Sequence, residues 1–325
     1  EAAVSLSVLA VLAVGIFLVH SGSLSVGRMV LGVTAVFGSF GPVIAVSALP
    51  ANLNQTFASG ERILRLLEEQ PEVEAVENGT ELSYEDLEVH DLSFAYGDTL
   101  IFSGLSLTAH PGDIIGVTGP VACGKSTFGR VFLCEAPYEG SAQFGKKEFS
   151  ALAPRQISAT VGYLGHDPEL SADTVQNNVL CGSEQDAMPY LAAAALKGEV
   201  LAMENGLDTV IGSSGTRLSG GQAQRLALAR TLAHPRPVLI LDDPFSALDR
   251  DTEDTIFADL QEYARDKVVF LISHRLYHFP QMQKIIFMDG GKTTVGTHEE
   301  LMASVPVYRQ LYESQTGGKQ HEEQA

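Results

Sequence analysis

Basic residues are scarce in this chain: 21 Lys and Arg stand against 40 Asp and Glu over 325 residues, a net charge of −19. A body this acidic repels phosphodiester backbones, which disfavours a DNA or RNA partner. Cysteine is scarce as well. Cys123, Cys134 and Cys181 give no disulfide framework and no paired metal-ligand spacing, a usage that suits a reducing compartment. Three ordinary thiols is the favoured reading; Cys123, near a helix start and beside Lys125, is the one candidate for a lowered pKa and oxidation.

Charge of either sign is missing from Ala2 to Gly27, and again from Met29 to Gly60. The first stretch to Val19, and the second to about Leu49, are each long enough to cross ~30 Å of hydrocarbon as a helix. The polar turn His20 to Ser25 makes them a hairpin, with spans expected at about 2–20 and 29–50. Gly32, Gly38, Gly41 and Ala45 are small enough to permit close helix packing. A signal peptide is the competing reading of the first stretch, but it lacks a basic start and a cleavage site, and a second span follows at once. With no initiator Met, the chain is expected to begin inside a larger membrane domain. Beyond Pro50, apolar Phe57, Ile63, Leu64, Leu66 and Leu67 alternate with Glu61, Arg62, Arg65, Glu68 and Glu69, which predicts an amphipathic helix to residue 69. The acidic stretch 70–85 reads as a linker, and 314–325 as a disordered polar tail. The last −18 of the charge lies beyond residue 70, because residues 1–70 hold four acids and three bases.

Between linker and tail, residues 86–313 carry the chemistry. Leu87 to Leu107 alternates apolar and polar residues about a Gly97-Asp98 turn, predicting an antiparallel hairpin. Ile114 to Val117 is a short buried strand that runs into Gly119-Pro120-Val121-Ala122-Cys123-Gly124-Lys125-Ser126 and a helix from Thr127. A glycine-rich loop between strand and helix turns backbone N–H groups toward phosphates, with the lysine reaching the β and γ phosphates and the serine reaching Mg²⁺. Val238 to Leu241 is a second buried strand, ending in Asp242 and Asp243; Val268 to Ile272 is a third, ending in Ser273 and His274. Leu218-Ser219-Gly220-Gly221-Gln222 lies between the glycine-rich loop and the Asp242 strand and opens a helix whose side-chain-free start can approach a phosphate closely.

In that order these segments resemble the nucleotide-binding domain of an ATP-binding cassette (ABC) transporter, and the likeness covers nearly the whole chain. It implies an α/β fold of the P-loop NTPase type: a RecA-like core, an antiparallel β subdomain and a helical signature subdomain, preceded by two transmembrane helices. It implies ATP and Mg²⁺ as ligands. The nucleotide would lie on Gly119, Val121, Ala122, Cys123, Gly124, Lys125, Ser126 and Thr127, with Tyr96 of Phe94-Ala95-Tyr96-Gly97 stacked on adenine. The metal would be held by Ser126, Asp242 and His166. The catalytic set would be Asp243, His274 and His166, with Asp249 in the D-loop, while Leu218, Ser219, Gly220, Gly221 and Gln222 act on the ATP of a second subunit paired head to tail. Fusion of spans and cassette in one chain resembles exporters, multi-pass in the cell membrane with the cassette on the cytoplasmic side.

The chain departs from the family pattern at two catalytic positions. The family's base is a Glu directly after the Mg²⁺-binding Asp, and here that position is Asp243, one methylene shorter. A misplacement of about 1 Å in such a group can cost on the order of a hundredfold in rate. Where the family has Gln, Gly162-Tyr163-Leu164-Gly165-His166-Asp167-Pro168 has His166. Gly212-Ser213-Ser214-Gly215 also lacks the acid that many exporters carry before the signature. The resemblance therefore favours one half of a heterodimeric exporter, the partner being a second, non-identical half-transporter, with membrane lipid around it and an unidentified exported substrate. Alternatives are a homodimer in which Asp243 is a slow base and a nucleotide switch that does not hydrolyse ATP. A soluble ABC ATPase of chromosome maintenance fits less well, for want of a coiled-coil insertion and because of the two uncharged stretches.

Overall fold

The computed structural model describes residues 2–69, 86–212, 215 and 217–316, and the chain divides into two compact units at Pro71. The linker expected at 70–85, and the tail from 317 onward, lie outside the described residues.

The first unit is a helical hairpin. Helix α1 (Ala2–His20) ends in a turn that Gly22 enters at φ +74°, and α2 (Val26–Glu68) returns along it. The hairpin is as expected, but its second arm is not two helices. It runs unbroken through Pro42 and Pro50, so the expected span and the amphipathic extension are one element. Each proline costs the helix a backbone N–H donor without ending it. Among the described residues, no helix is long and apolar enough to cross a membrane. The side chains at positions 2, 3, 43–45, 47, 48 and 51 lie outside the described residues, and the later part of α2 is charged. The expected glycine contacts are also elsewhere. Gly32, Gly38 and Gly41 face open space, Ala45 is outside the described side chains, and the close approach is at Gly15, where a Cβ would lie 2.6 Å from Met29 Cγ. Much of the hairpin's apolar surface is bare, including Leu6, Leu9, Phe17, Leu31 and Phe37.

The second unit holds two sheets. Strands β1 (Leu87–Tyr96) and β2 (Thr99–Ala109) form the expected antiparallel hairpin and join β4 (Glu139–Phe144) and β5 (Lys147–Glu148) in the order β2-β1-β4-β5. The larger sheet has the order β10-β9-β3-β8-β7-β6, from β3 (Ile114–Thr118), β6 (Val161–Leu164), β7 (Val238–Asp242), β8 (Val268–Ile272), β9 (Lys284–Asp289) and β10 (Lys292–Gly296). Its neighbours are parallel except β9 and β10. Strands β3, β7 and β8 are buried at every residue, which is why each reads as an unbroken apolar run: a parallel strand is covered on both faces.

The two faces carry different cores. Val268, Phe270 and Ile272 point into one, with Phe128 and Phe132 of α3 (Lys125–Phe132); Phe132 stacks on Phe270 at 5.4 Å. Val269 and Leu271 point into the other. That core includes residues of α5 (Val175–Leu180), α6 (Met188–Ala193), α7 (Lys197–Leu201), the signature helix α8 (Gly220–Ala233) and α9 (Arg250–Tyr263), whereas α4 (Pro154–Thr160) sends Ile157 into the first core. Helices α10 (His298–Ser304) and α11 (Pro306–Thr316) are the last elements among the described residues. The expected disordered tail is thus ordered through Thr316, three residues into the segment read as polar and structureless. The second unit is thus an α/β fold around a mostly parallel sheet, and an N-terminal helical segment precedes it in the chain.

Candidate functional site

The C-terminal ends of β3, β6, β7 and β8, and the segments that leave them, carry the predicted catalytic and metal residues and all the predicted nucleotide residues except Tyr96, where open parallel sheets place their ligand crevices. The loop after β3 is shaped by its glycines. A Cβ at Gly119 would lie 2.0 Å from the carbonyl oxygen of Met288, so only glycine lets the loop pass β9. Ala122 (φ +63°) and Gly124 (φ +99°) then curl the chain in the left-handed region before Lys125, Ser126 and Thr127 open α3. Val121 sits on the crest, 94% exposed. Lys125 Nζ donates to the carbonyls of Gly119 (3.1 Å) and Pro120 (2.9 Å), folding its charge back across the loop. Cys123 goes against the lesser reading of a lowered pKa. Burial pushes its thiol up, and the adjoining Lys125 ammonium only partly opposes this, so it is less readily ionised than an ordinary cysteine.

Ser126 donates to Asp242, which joins the glycine-rich loop to the end of β7. Burial raises the Asp242 carboxyl, and the Ser126 hydrogen bond and nearby His166 pull against it. The Tyr163 hydroxyl lies 3.4 Å from the same carboxylate, and burial beside that charge pushes it up to about 12.

Asp243 follows with φ +53°, a conformation that Asp adopts more readily than most residues, and its N–H donates to Ile272 O at 2.8 Å. This turn directs the carboxylate at β8 and β6. Oδ2 lies 2.8 Å from His274 Nδ1 and 3.7 Å from His166 Nδ1; Ser273 Oγ lies 3.5 Å from Oδ1. The two positions that depart from the family pattern therefore meet on one carboxylate, and His274 is part of the same cluster. That convergence follows from β8, β7 and β6 being neighbours in the sheet.

The signature residues are placed by a capping box. Ser219 Oγ accepts from Gln222 N–H while Gln222 Oε1 accepts from Ser219 N–H, which leaves the start of α8 rigid and its free N–H groups outward. Leu218 packs on the adjoining core. A Cβ at Gly221 would lie 2.8 Å from Ala247 O, so glycine there allows the D-loop to pass close. Gly220 faces open space. Gln222 Nε2 and Arg225 Nη1 both reach Glu199 of α7, at 2.7 and 2.6 Å, tying the signature to the helical subdomain. Asp249 caps α9 through Thr252. Tyr96 ends β1 with its ring edge-to-face on Phe94 at 4.8 Å and 49% exposed, leaving a ring face available to stack. Ser213 and Ser214, where the missing acid would stand, are outside the described residues.

Sequence reasoning assigned no role to Arg275, Glu253 or Glu199. Arg275 was visible only as the residue after His274. In the fold its Nη1 bonds Leu248 O (2.8 Å) and the buried Glu253 (2.9 Å), and its Nη2 bonds Ser246 O (3.3 Å), pinning the loop after β8 that carries His274, the switch loop, to the D-loop.

Residues 102–246 match the family model described as ABC transporter. The chain contains an ABC transporter ATP-binding domain. Its similar proteins are ABC exporters and ATP-binding/permease proteins. An ATP-dependent lipid A-core flippase of Desulfotalea psychrophila is 30% identical over 305 residues, 91% of this chain and 53% of that protein. A probable ABC transporter ATP-binding/permease protein of Haemophilus influenzae is 30% identical, over 90% of this chain and 54% of that one. Among solved structures, a bacterial Atm1-family ABC exporter with ATP bound superposes with a TM-score of 0.73 at 27% identity, over 90% of this chain and 53% of that one. The chain spans about half the length of the curated relatives it matches.

Proposed function

We propose that this ABC chain is part of an exporter subunit that binds Mg-ATP, pairs head to tail with a non-identical half-transporter, and hydrolyses ATP slowly at its own site while its signature completes the partner's. The observation that carries this is the Asp243 carboxylate. It is one methylene short of the family's base, and one of its oxygens faces both His274 and His166. The binding apparatus beside it is intact: the curled glycine loop, Lys125, Tyr96 and the capped signature helix support ATP binding.

The residues also fit Mg²⁺. A serine hydroxyl already bonded to a buried carboxylate is a hard-oxygen donor pair, with His166 alongside. Ser126 and Asp242 would hold the ion, which when bound neutralises charge on the terminal phosphates. Lys125 would exchange its carbonyl partners for phosphate oxygens, and the backbone N–H groups of 122–126 would donate to the other phosphate oxygens. Water exclusion would come from the partner's signature.

Anchoring in a membrane, with the ATP-binding domain on the cytoplasmic side, belongs to the same reading. It is supported by the bare apolar side chains of a hairpin whose first helix has no charged residue, a surface that water does not favour.

The test is Mg-ATP turnover by the complete subunit, alone and with its partner, beside a form carrying Asp243→Glu and His166→Gln. Turnover that needs the partner or is raised by the two substitutions supports the reading. Brisk turnover by the lone wild-type subunit refutes it in favour of a homodimeric pump. No turnover in any combination makes the chain a nucleotide switch.

A further inference from the structure

The loop after β8 has no strand or helix to satisfy its backbone, yet it carries His274. Its partner comes from the far end of the chain. Gln315, on the last turn of α11, donates from Nε2 to His274 O at 2.8 Å and accepts at Oε1 from Leu276 N–H at 2.9 Å. One carboxamide thus pairs with both backbone groups that bracket Arg275, as a neighbouring strand would. The Tyr277 hydroxyl closes the clasp, donating to Gln315 O at 3.2 Å.

The helix that presents Gln315 is firmly based. Tyr308 of α11 is fully buried, edge-on to Phe287 of β9 at 5.8 Å, with its hydroxyl 2.8 Å from His298 Nδ1; Arg309 Nε donates to Met302 O at 2.6 Å. On the loop's other side, Arg275 is held by the D-loop carbonyls and Glu253. The imidazole of His274 then has a fixed base from which to meet Asp243 at 2.8 Å.

We infer that Gln315 is a positioning residue for the ATPase site: its carboxamide latches α11 to the switch loop and sets where the His274 ring stands. The inference rests on the functional reading above. The Gln315 carboxamide is taken up by the His274 and Leu276 backbone and is not among the groups that would hold ATP, so losing it leaves ATP binding intact and lowers turnover. A shift of about 1 Å in a catalytic ring sets the scale, on the order of ten- to a hundredfold in kcat.

The experiment uses the complete subunit with its partner, in the Asp243→Glu, His166→Gln background. Gln315→Met keeps the side chain's bulk and removes both hydrogen bonds; Gln310→Ala, at an exposed position on the same helix, is the control. ATP turnover is measured against ATP concentration, and backbone amide exchange is followed at Leu276. The expected result is a fall in kcat with unchanged KM for ATP, several-fold faster Leu276 exchange, and no effect of Gln310→Ala. An unchanged kcat, or a KM that rises in step with any loss, overturns the inference. If no form shows turnover that Lys125→Ala abolishes, the functional reading itself fails. The latch is then judged on Leu276 alone: faster exchange in Gln315→Met retains it, and unchanged exchange overturns it.

Discussion

Replacing Arg275 by Met should destabilise the ATP-binding domain more than any surface change, because of what it leaves behind. Glu253 stands in the first turn of α9 with its side chain 2% exposed, and Arg275, 27% exposed, is paired with it at 2.9 Å. The other nearby base is His278, 3.5 Å from Glu253 Oε1, and burial lowers its pKa, so near neutral pH it brings no compensating charge. Arg275→Met therefore strands a buried carboxylate and frees the carbonyls of Leu248 and Ser246. Breaking a buried pair from one side costs about 3–5 kcal/mol, a large part of the roughly 5–15 kcal/mol that holds a domain together. Glu253→Gln added to Arg275→Met removes the stranded charge and should recover about 2 kcal/mol or more, a coupling within the range for residues in direct contact. Urea denaturation of the complete subunit, read by pulse proteolysis of this domain, measures both. A cost below about 1 kcal/mol for Arg275→Met, or a double variant no more stable than the single, would refute the assignment of this pair as the anchor of the switch loop.

Tyr96→Ala should weaken ATP binding by roughly five- to a hundredfold, since stacking a base on an aromatic ring contributes about 1–3 kcal/mol, whereas Tyr96→Phe keeps the ring and the affinity. Equilibrium binding of a non-hydrolysable ATP analogue distinguishes them, and equal losses in both would mean that the hydroxyl, not the ring face, binds. His278 gives a pH prediction. Its pKa is lowered by burial, despite the carboxylates of Glu253 and Asp254 and with Arg250 adding to the shift, so the unfolded chain takes up a proton before the folded one does. Stability from this group is then complete above its ordinary value of 6.5 and is lost as pH falls below that. His278→Phe, which preserves the stack on Phe257, should flatten the acid limb of stability against pH; an unaltered limb would show that His278 does not titrate there. Part of the slope should persist, since burial also lowers His298.

Much of the domain was legible because its elements announce themselves locally. Fully buried parallel strands leave unbroken apolar runs at Ile114, Val238 and Val268, and the spacing of Ser219 and Gln222 is that of the capping box they form. Strand order is not local. Asp243 and His274 are 31 positions apart, and nothing in either segment states that β7 and β8 are neighbours or that a left-handed turn at Asp243 aims its carboxylate across them. The join near residue 50 is also not local: α2 runs through Pro42, inside the expected span, and through Pro50, where that span is expected to give way to the amphipathic helix. The polar composition after Glu313 hid an ordered turn, because Gln315 is held by a loop about forty residues upstream rather than by its own helix face.

The same long-range geometry sharpens the argument about the weak base. Side-chain length alone would make Asp243 a shorter Glu, and Asp243→Glu alone would then restore the site. The arrangement around it says otherwise, since Oδ2 faces two imidazoles and Ser273 stands near Oδ1, so the carboxylate that must orient water is already engaged. A glutamate built from the same backbone would carry its carboxylate past this cluster only if His166 ceased to compete for it. On this reasoning the two departures from the family pattern are one coupled change, and restoring position 166 to Gln should matter more in the presence of Asp243→Glu than in its absence.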